Sequence, residues 1–181
     1  MRVERLLIQP SGPLSGSVAI DGAKNSALKL MAATLLAEGQ HVLRNVPDIT
    51  DVTCMADVLR SMGLGVERRG DEVVIDRPEA GQIVPEAPWE LVERMRASTA
   101  VLGPLLARFG RARVALPGGD DFGPRPVDLH VRSLEQLGAV VELRHGYIEA
   151  TADRLVGARI DLAFPSVGAT ENALMAAVLA K

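Results

Sequence analysis

Met62-Gly63-Leu64-Gly65-Val66-Glu67 and Leu137-Gly138-Ala139-Val140-Val141-Glu142 lie 75 residues apart and have the same design. Each closes an amphipathic helix on an apolar residue plus glycine and runs into an alternating strand. A turn follows in both cases, Arg69-Gly70-Asp71 and His145-Gly146, and then a second short strand, over 72–75 and 147–150. The helix, glycine cap and hairpin therefore occur twice, and a period of this length marks an internal repeat.

The repeat extends upstream. Residues 30–37 with Gly39 lead into a strand over 41–45 and Pro47, and residues 101–107 with Gly110 lead into 111–115 and Pro117. A third copy begins where Leu155-Val156-Gly157 matches Leu14-Ser15-Gly16, and Gly168-Ala169 matches Gly22-Ala23. The unit reads strand, helix, strand, helix, strand, strand. The third copy stops at Lys181, one helix in, with about 40 residues of a full unit to follow going by the first copy's length.

The helices fall into two kinds. Residues 26–37, 97–107 and 172–180 are apolar nearly all round and are expected to be buried on all sides. Residues 51–62 and 128–137 are amphipathic, with Val52, Met55, Leu59 and Met62, or Leu129, Leu134 and Leu137, facing inward. Helices inside and sheets outside follow, an α/β architecture. Pro104 is expected to kink the second buried helix or to mark its start.

Composition agrees with a globular protein: 181 residues, 48% hydrophobic, 24% charged and only five aromatics, so the core is aliphatic. Length alone favours one domain. The net charge of -3 gives no basic face for nucleic acid. No apolar run long enough to span a bilayer and no signal-peptide pattern is present, so a cytoplasmic location is expected. The single cysteine, Cys54, reads as a buried structural thiol.

The copies differ where chemistry is expected. Three residues separate Pro47 from Asp51, but ten separate Pro117 from Asp128, an insertion bearing three glycines, Asp120, Asp121 and Arg125. Glycine permits close backbone approach and fixed charge can hold a substrate, so this loop is a candidate site expected to close over a ligand. All three apolar helices also begin with anion-friendly residues: Lys24 and Asn25, Arg96, and Ser166-Val167-Gly168-Ala169-Thr170. Free amides at a helix start, with lysine or arginine beside them, suit phosphorylated ligands.

Gly22-Ala23-Lys24-Asn25, Met95-Arg96-Ala97-Ser98, Leu116-Pro117-Gly118-Gly119, Arg125-Pro126-Val127-Asp128-Leu129-His130 and Ser166-Val167-Gly168-Ala169-Thr170, in order along the whole chain, resemble the enolpyruvyl transferases that act on UDP-N-acetylglucosamine. The resemblance implies an inside-out α/β barrel of three βαβαββ units, of which about two and a half are present. It implies that residues 1–10 form a strand of another domain and that 11–181 form one domain with a truncated third unit. The implied reaction moves the enolpyruvyl group of phosphoenolpyruvate to the 3-hydroxyl of UDP-N-acetylglucosamine, the first committed step of peptidoglycan synthesis, with no metal or cofactor. Lys24 and Asn25 would contact phosphoenolpyruvate and sugar, and Arg96 and Arg125 the phosphate and carboxylate. Arg125, Pro126, Val127, Asp128 and Leu129 would hold the uracil end, and Ser166, Val167 and Gly168 the diphosphate. Asp120 stands where many relatives carry the cysteine that protonates the methylene carbon and is alkylated by fosfomycin, so Asp120 would be the proton donor and the epoxide ineffective. The chain alone is expected to be inactive, its open edge covered by a second domain or a swapped copy. The related shikimate-pathway transferase shares the fold but usually has a different sequence where this chain has Gly22-Ala23-Lys24-Asn25. The other reading is a non-catalytic homologue that binds nucleotide sugar or acts as an interaction module.

Overall fold

The structure is a computed structural model that describes residues 7–93, 95–116 and 127–181, with the backbone alone at position 96. It contains two sheets and six α-helices among the described residues. The first unit supplies helix α1 (Lys24–Ala33), strand β1 (Gly39–Leu43), helix α2 (Thr50–Ser61) and strands β2 (Gly65–Arg69) and β3 (Glu72–Arg77). The second supplies β4 (Glu86–Ala87), α3 (Trp89–Val92), α4 (Leu102–Phe109), β5 (Arg111–Ala115), α5 (Asp128–Gln136), β6 (Val140–Arg144) and β7 (Tyr147–Thr151). The third contributes α6 (Val167–Ala177).

The repeat is literal at the level of hydrogen-bond register. In the first hairpin Val66 pairs with Ile75, and in the second Val141 pairs with Ala150, the same partners shifted by 75 residues. The hairpin turns need left-handed backbone, which Gly70 (φ 64°) supplies in one and His145 (φ 49°) with Gly146 (φ 80°) in the other. Gly63 and Gly138 end α2 and α5 with φ of 103° and 92°, as the glycine caps require. The first sheet is ordered β1-β3-β2 and the second β4-β5-β7-β6, with β4 parallel to β5.

The third copy is visible in the backbone as well. The Lys181 N–H donates to the Leu155 carbonyl at 3.0 Å, and the Gly157 N–H donates to the Lys181 carbonyl at 2.7 Å. These two bonds hold the end of the chain, just after α6, against residues 155–157. Val156 N–H to Leu137 O (2.9 Å) likewise repeats Val84 N–H to Met62 O (2.9 Å).

The core lies between the sheets and the helices, as the apolar pattern predicts. Val52, Met55, Leu59 and Met62 are buried along one face of α2, and Leu134 and Leu137 do the same for α5, with Leu129 half-buried. Leu102, Gly103, Pro104, Leu105 and Leu106 are all buried, so the first part of α4 is enclosed on all sides. Pro104 sits on the third residue of α4, behind a 3₁₀ stretch over Arg96–Val101, so it marks the helix start and does not kink it. Its missing N–H removes the α-helical bond to Ala100, which fits the change of helix type there.

Two expectations are corrected. The outer apolar helices are not buried all round: Leu30 on α1 and Leu174 and Val178, on and just after α6, are exposed, because no sheet packs on that side among the described residues. Cys54, on α2, is half-buried. Of the segment expected as an N-terminal strand of another domain, residues 1–6 lie outside the described residues, and Leu7 and Ile8 are exposed. No closed barrel is formed by the described residues.

Candidate functional site

Lys24 opens α1 at the end of an extended segment, and its position is set by Gly22. The Gly22 N–H donates to Asn45 Oδ1 at 3.1 Å, and a Cβ at residue 22 would collide with the Asn45 carbonyl oxygen. Only glycine allows this approach, so the backbone ahead of Lys24 is pinned to the end of β1. Lys24 Nζ lies 3.4 Å from Asp51 Oδ2, at the start of α2, and both side chains are partly in solvent. An exposed pair at this distance contributes little to stability and leaves the ammonium accessible. Asn25 is exposed in the first turn.

The three apolar helices touch at one level, a turn or so beyond their starts. Lys29 of α1 forms an ion pair with Glu171 of α6. Thr99, in the 3₁₀ stretch that Arg96 opens, accepts a hydrogen bond from Asn172 of α6 at 3.2 Å. The three helices thus meet through side chains beyond the starts that carry Lys24, Arg96 and Ser166 to Gly168. Ser166 caps α6, its Oγ accepting the Ala169 N–H at 3.3 Å. The Val167 side chain is exposed, and Gly168 is half-buried.

The structure also joins two segments that are far apart in sequence. α5, which begins at Asp128 with half-buried Val127 before it, packs beside α6. His130 carries the junction. Its Nδ1 is 3.0 Å from Asn172 Nδ2, and its Cε1–Nε2 edge faces Gly168, 3.5 and 3.6 Å from where a Cβ would stand. The first turn of α5, which follows Val127, thus meets α6 through His130, against Gly168 and Asn172. Asp120, Asp121, Arg125 and Pro126 lie outside the described residues, as does the Arg96 side chain.

Two partners of this site were not evident from sequence pattern. Asn172 looked like one more residue of an apolar helix, yet it is buried and meets three groups on three other elements. His130 stood within a quoted motif without a role. A polar residue inside an otherwise apolar helix was the available signal, because burying an amide demands partners. No group of acidic, histidine or cysteine side chains suited to a metal occurs among the described residues. None of their helices is long and apolar enough to cross a membrane.

Comparison with known proteins matches residues 8–181 to the family described as EPSP synthase (3-phosphoshikimate 1-carboxyvinyltransferase). The UDP-N-acetylglucosamine 1-carboxyvinyltransferases of Mycolicibacterium paratuberculosis and Mycobacterium tuberculosis are 55% and 54% identical over 98% of the chain. The chain spans 42% of the length of these relatives. Among solved structures, the enolpyruvyl transferase NikO from Streptomyces tendae superposes with a TM-score of 0.75 at 25% identity, over 92% of this chain and 39% of that one. An EPSP synthase from Acinetobacter baumannii shares the fold at TM-score 0.70 and 18% identity, over 92% and 38%. From the match over residues 8–181, the chain belongs to the EPSP synthase (3-phosphoshikimate 1-carboxyvinyltransferase) family.

Proposed function

We propose that this chain forms the nucleotide-sugar half of an enzyme that transfers enolpyruvyl from phosphoenolpyruvate to the 3-hydroxyl of UDP-N-acetylglucosamine, in the cytoplasm and for peptidoglycan synthesis. The observation that carries the reading is the shared edge of α5 and α6. It sets His130, one residue after Leu129, against Gly168 in the first turn of α6, where helix-start amides suit a diphosphate. The names of the relatives that are more than half identical support the same substrate.

In this scheme Arg125, Pro126, Val127, Asp128 and Leu129 hold the uracil end. Ser166, Val167 and Gly168 take the diphosphate, Lys24 and Asn25 face phosphoenolpyruvate and sugar, and Arg96 and Arg125 neutralise phosphate and carboxylate. Protonation of the phosphoenolpyruvate methylene carbon by Asp120 makes the adjacent carbon electrophilic. The sugar 3-hydroxyl oxygen adds to that carbon and gives up its proton. Loss of inorganic phosphate, with a proton from the new methyl group, restores the vinyl ether. Groups in the remainder of a full-length protein complete the site, so the chain by itself binds without turning over.

Calorimetric titration of the 181-residue chain with UDP-N-acetylglucosamine tests this. Saturable binding, weakened in Asp128→Ala, is the expected result. A folded chain that takes up no heat at millimolar ligand would refute the reading and leave an interaction module as the better description.

A further inference from the structure

We infer that Asn45 is a positioning residue for Lys24: it grips the chain two residues ahead of that lysine, and Arg68 holds the segment after Asn45 in place. The inference rests on the reading above for Lys24 as a ligand contact, but not for the hold on the chain.

Lys24 has little else to place it. Residues 7 to 21 are all exposed and outside any helix or strand, and Gly22 is the first described residue that is not exposed. Helix α1 begins at Lys24 with no side-chain cap from Ala23, and an uncapped first turn frays easily. The Lys24 side chain meets Asp51 at 3.4 Å, partly in solvent. The approach to the helix is fixed instead at Gly22, whose N–H donates to Asn45 Oδ1 at 3.1 Å and whose lack of a Cβ lets the Asn45 carbonyl oxygen stand beside it.

Asn45 is shaped for this grip. Its backbone is left-handed, with φ of 54°, a conformation that asparagine tolerates better than most residues. The two residues after it are fixed at successive carbonyls. Arg68, on β2, donates from Nη1 to Val46 O at 3.1 Å and from Nη2 to Pro47 O at 2.8 Å. A further bond to Gly70 O at 3.0 Å ties the same guanidinium to the β2–β3 turn, and Nε lies 3.6 Å from Asp48 Oδ1. A planar fork of five donors can make all of these contacts at once; an ammonium cannot.

The second unit shows which parts are scaffold. The Val46 N–H donates to Asp71 O at 2.8 Å, and the Leu116 N–H donates to Gly146 O at 2.8 Å, so that bond belongs to the repeat. Ala115, however, stands where Asn45 does, and Leu143 stands where Arg68 does. The grip is an addition to the unit that bears Lys24, and the second unit forms the same sheet without it.

The test uses the intact chain. Asn45→Gly keeps the left-handed backbone accessible and removes only the acceptor. In nitrogen-15 spectra the Gly22 amide should exchange with solvent about threefold or more faster in Asn45→Gly than in the wild type. Asn45→Asp, which keeps an oxygen at that place, should slow it again, and Arg68→Lys should speed it. Exchange at the wild-type rate in Asn45→Gly overturns the hold; the same result in Arg68→Lys overturns the part given to Arg68. With UDP-N-acetylglucosamine as the probe, Asn45→Gly should weaken binding about threefold to tenfold, the loss of one hydrogen bond. In a Lys24→Ala background the same change should alter affinity less than about twofold, because the lysine it places is gone. Equal losses in both backgrounds, or no loss in either, overturn the positioning role. A folded wild-type chain that ignores the nucleotide sugar refutes the function proposed above, and the ligand half of this inference with it; the Gly22 amide still decides whether Asn45 holds the chain.

Discussion

Gly103 and Asn172 are pressed together: the Gly103 N–H donates to Asn172 Oδ1 at 2.6 Å, and a Cβ on Gly103 would fall well inside 3.0 Å of the Asn172 carbonyl oxygen. This contact fixes the distance between α4 and α6. Gly103→Ala gains about 1 kcal/mol of helix propensity, but the obstacle is backbone on the facing helix and cannot rotate away. Overpacking of this kind costs about 1–3 kcal/mol, so a net loss of stability is expected in urea unfolding. A midpoint equal to or above that of the wild type would show that the helices separate easily.

A second contact holds the first unit to the second. Arg77 ends β3 on the same inward face as Val73 and Ile75, and its side chain is wholly buried. Its guanidinium lies 5.3 Å from the Phe109 ring centre, and Nη1 is 3.0 Å from Glu38 Oε1, which Arg108 also meets at 3.0 Å. The guanidinium of Arg77, and next that of Arg108, holds the Glu38 carboxyl below its ordinary value of 4.5. A carboxylate with a lowered folded pKa contributes stability above the unfolded value and loses it as pH falls through the folded one. Stability should therefore fall in acid below about pH 4.5, more gently in Glu38→Gln, which lacks this titration but leaves Arg77 without its anion at neutral pH. Thermal melts of both proteins from pH 3 to 7 check this. Parallel curves would show that Glu38 plays no part.

The two kinds of contact show what the sequence could and could not disclose. Helix ends, hairpins and their 75-residue spacing were legible because glycine conformation and apolar period act locally, as Gly63, Gly138 and the paired registers of Val66 and Val141 show. The helix starts with Lys24, Arg96 and Ser166 were legible for the same reason. Arg77 was not, since the apolar run appeared to stop at Ile75 and charge argues for exposure. Nor was the pairing of His130 with Asn172, which depends on how α5 and α6 pack across 42 residues of chain. The exposure of Leu174 was misread because an apolar period states which residues avoid water, not which neighbours are present to cover them.

Lys24 separates structural from ligand roles. Its only described partner is Asp51 at 3.4 Å, and the pair is partly solvated. Such pairs contribute up to about 1 kcal/mol, often nothing. Lys24→Ala is therefore expected to shift the urea midpoint hardly at all while reducing the affinity of the chain for UDP-N-acetylglucosamine. A large loss of stability would instead make Lys24 a structural residue and remove it from the proposed site.

Asp120 is tested in a full-length enzyme carrying this chain's sequence. In its proposed role of proton donor to carbon it would have to hold a proton near neutral pH, through desolvation or the neighbouring Asp121. A positioned general acid contributes about 10²- to 10⁴-fold to rate, so Asp120→Ala should lower turnover by about that factor. Asp120→Cys should restore much of the rate, because a thiol can donate the same proton, and should add sensitivity to an epoxide that alkylates thiolates and spares the parent carboxyl. Turnover unchanged in Asp120→Ala would assign the proton to another group, with Asp121 the next to substitute. Restored turnover without alkylation would mean that the thiol at this position stays protonated or out of the epoxide's reach.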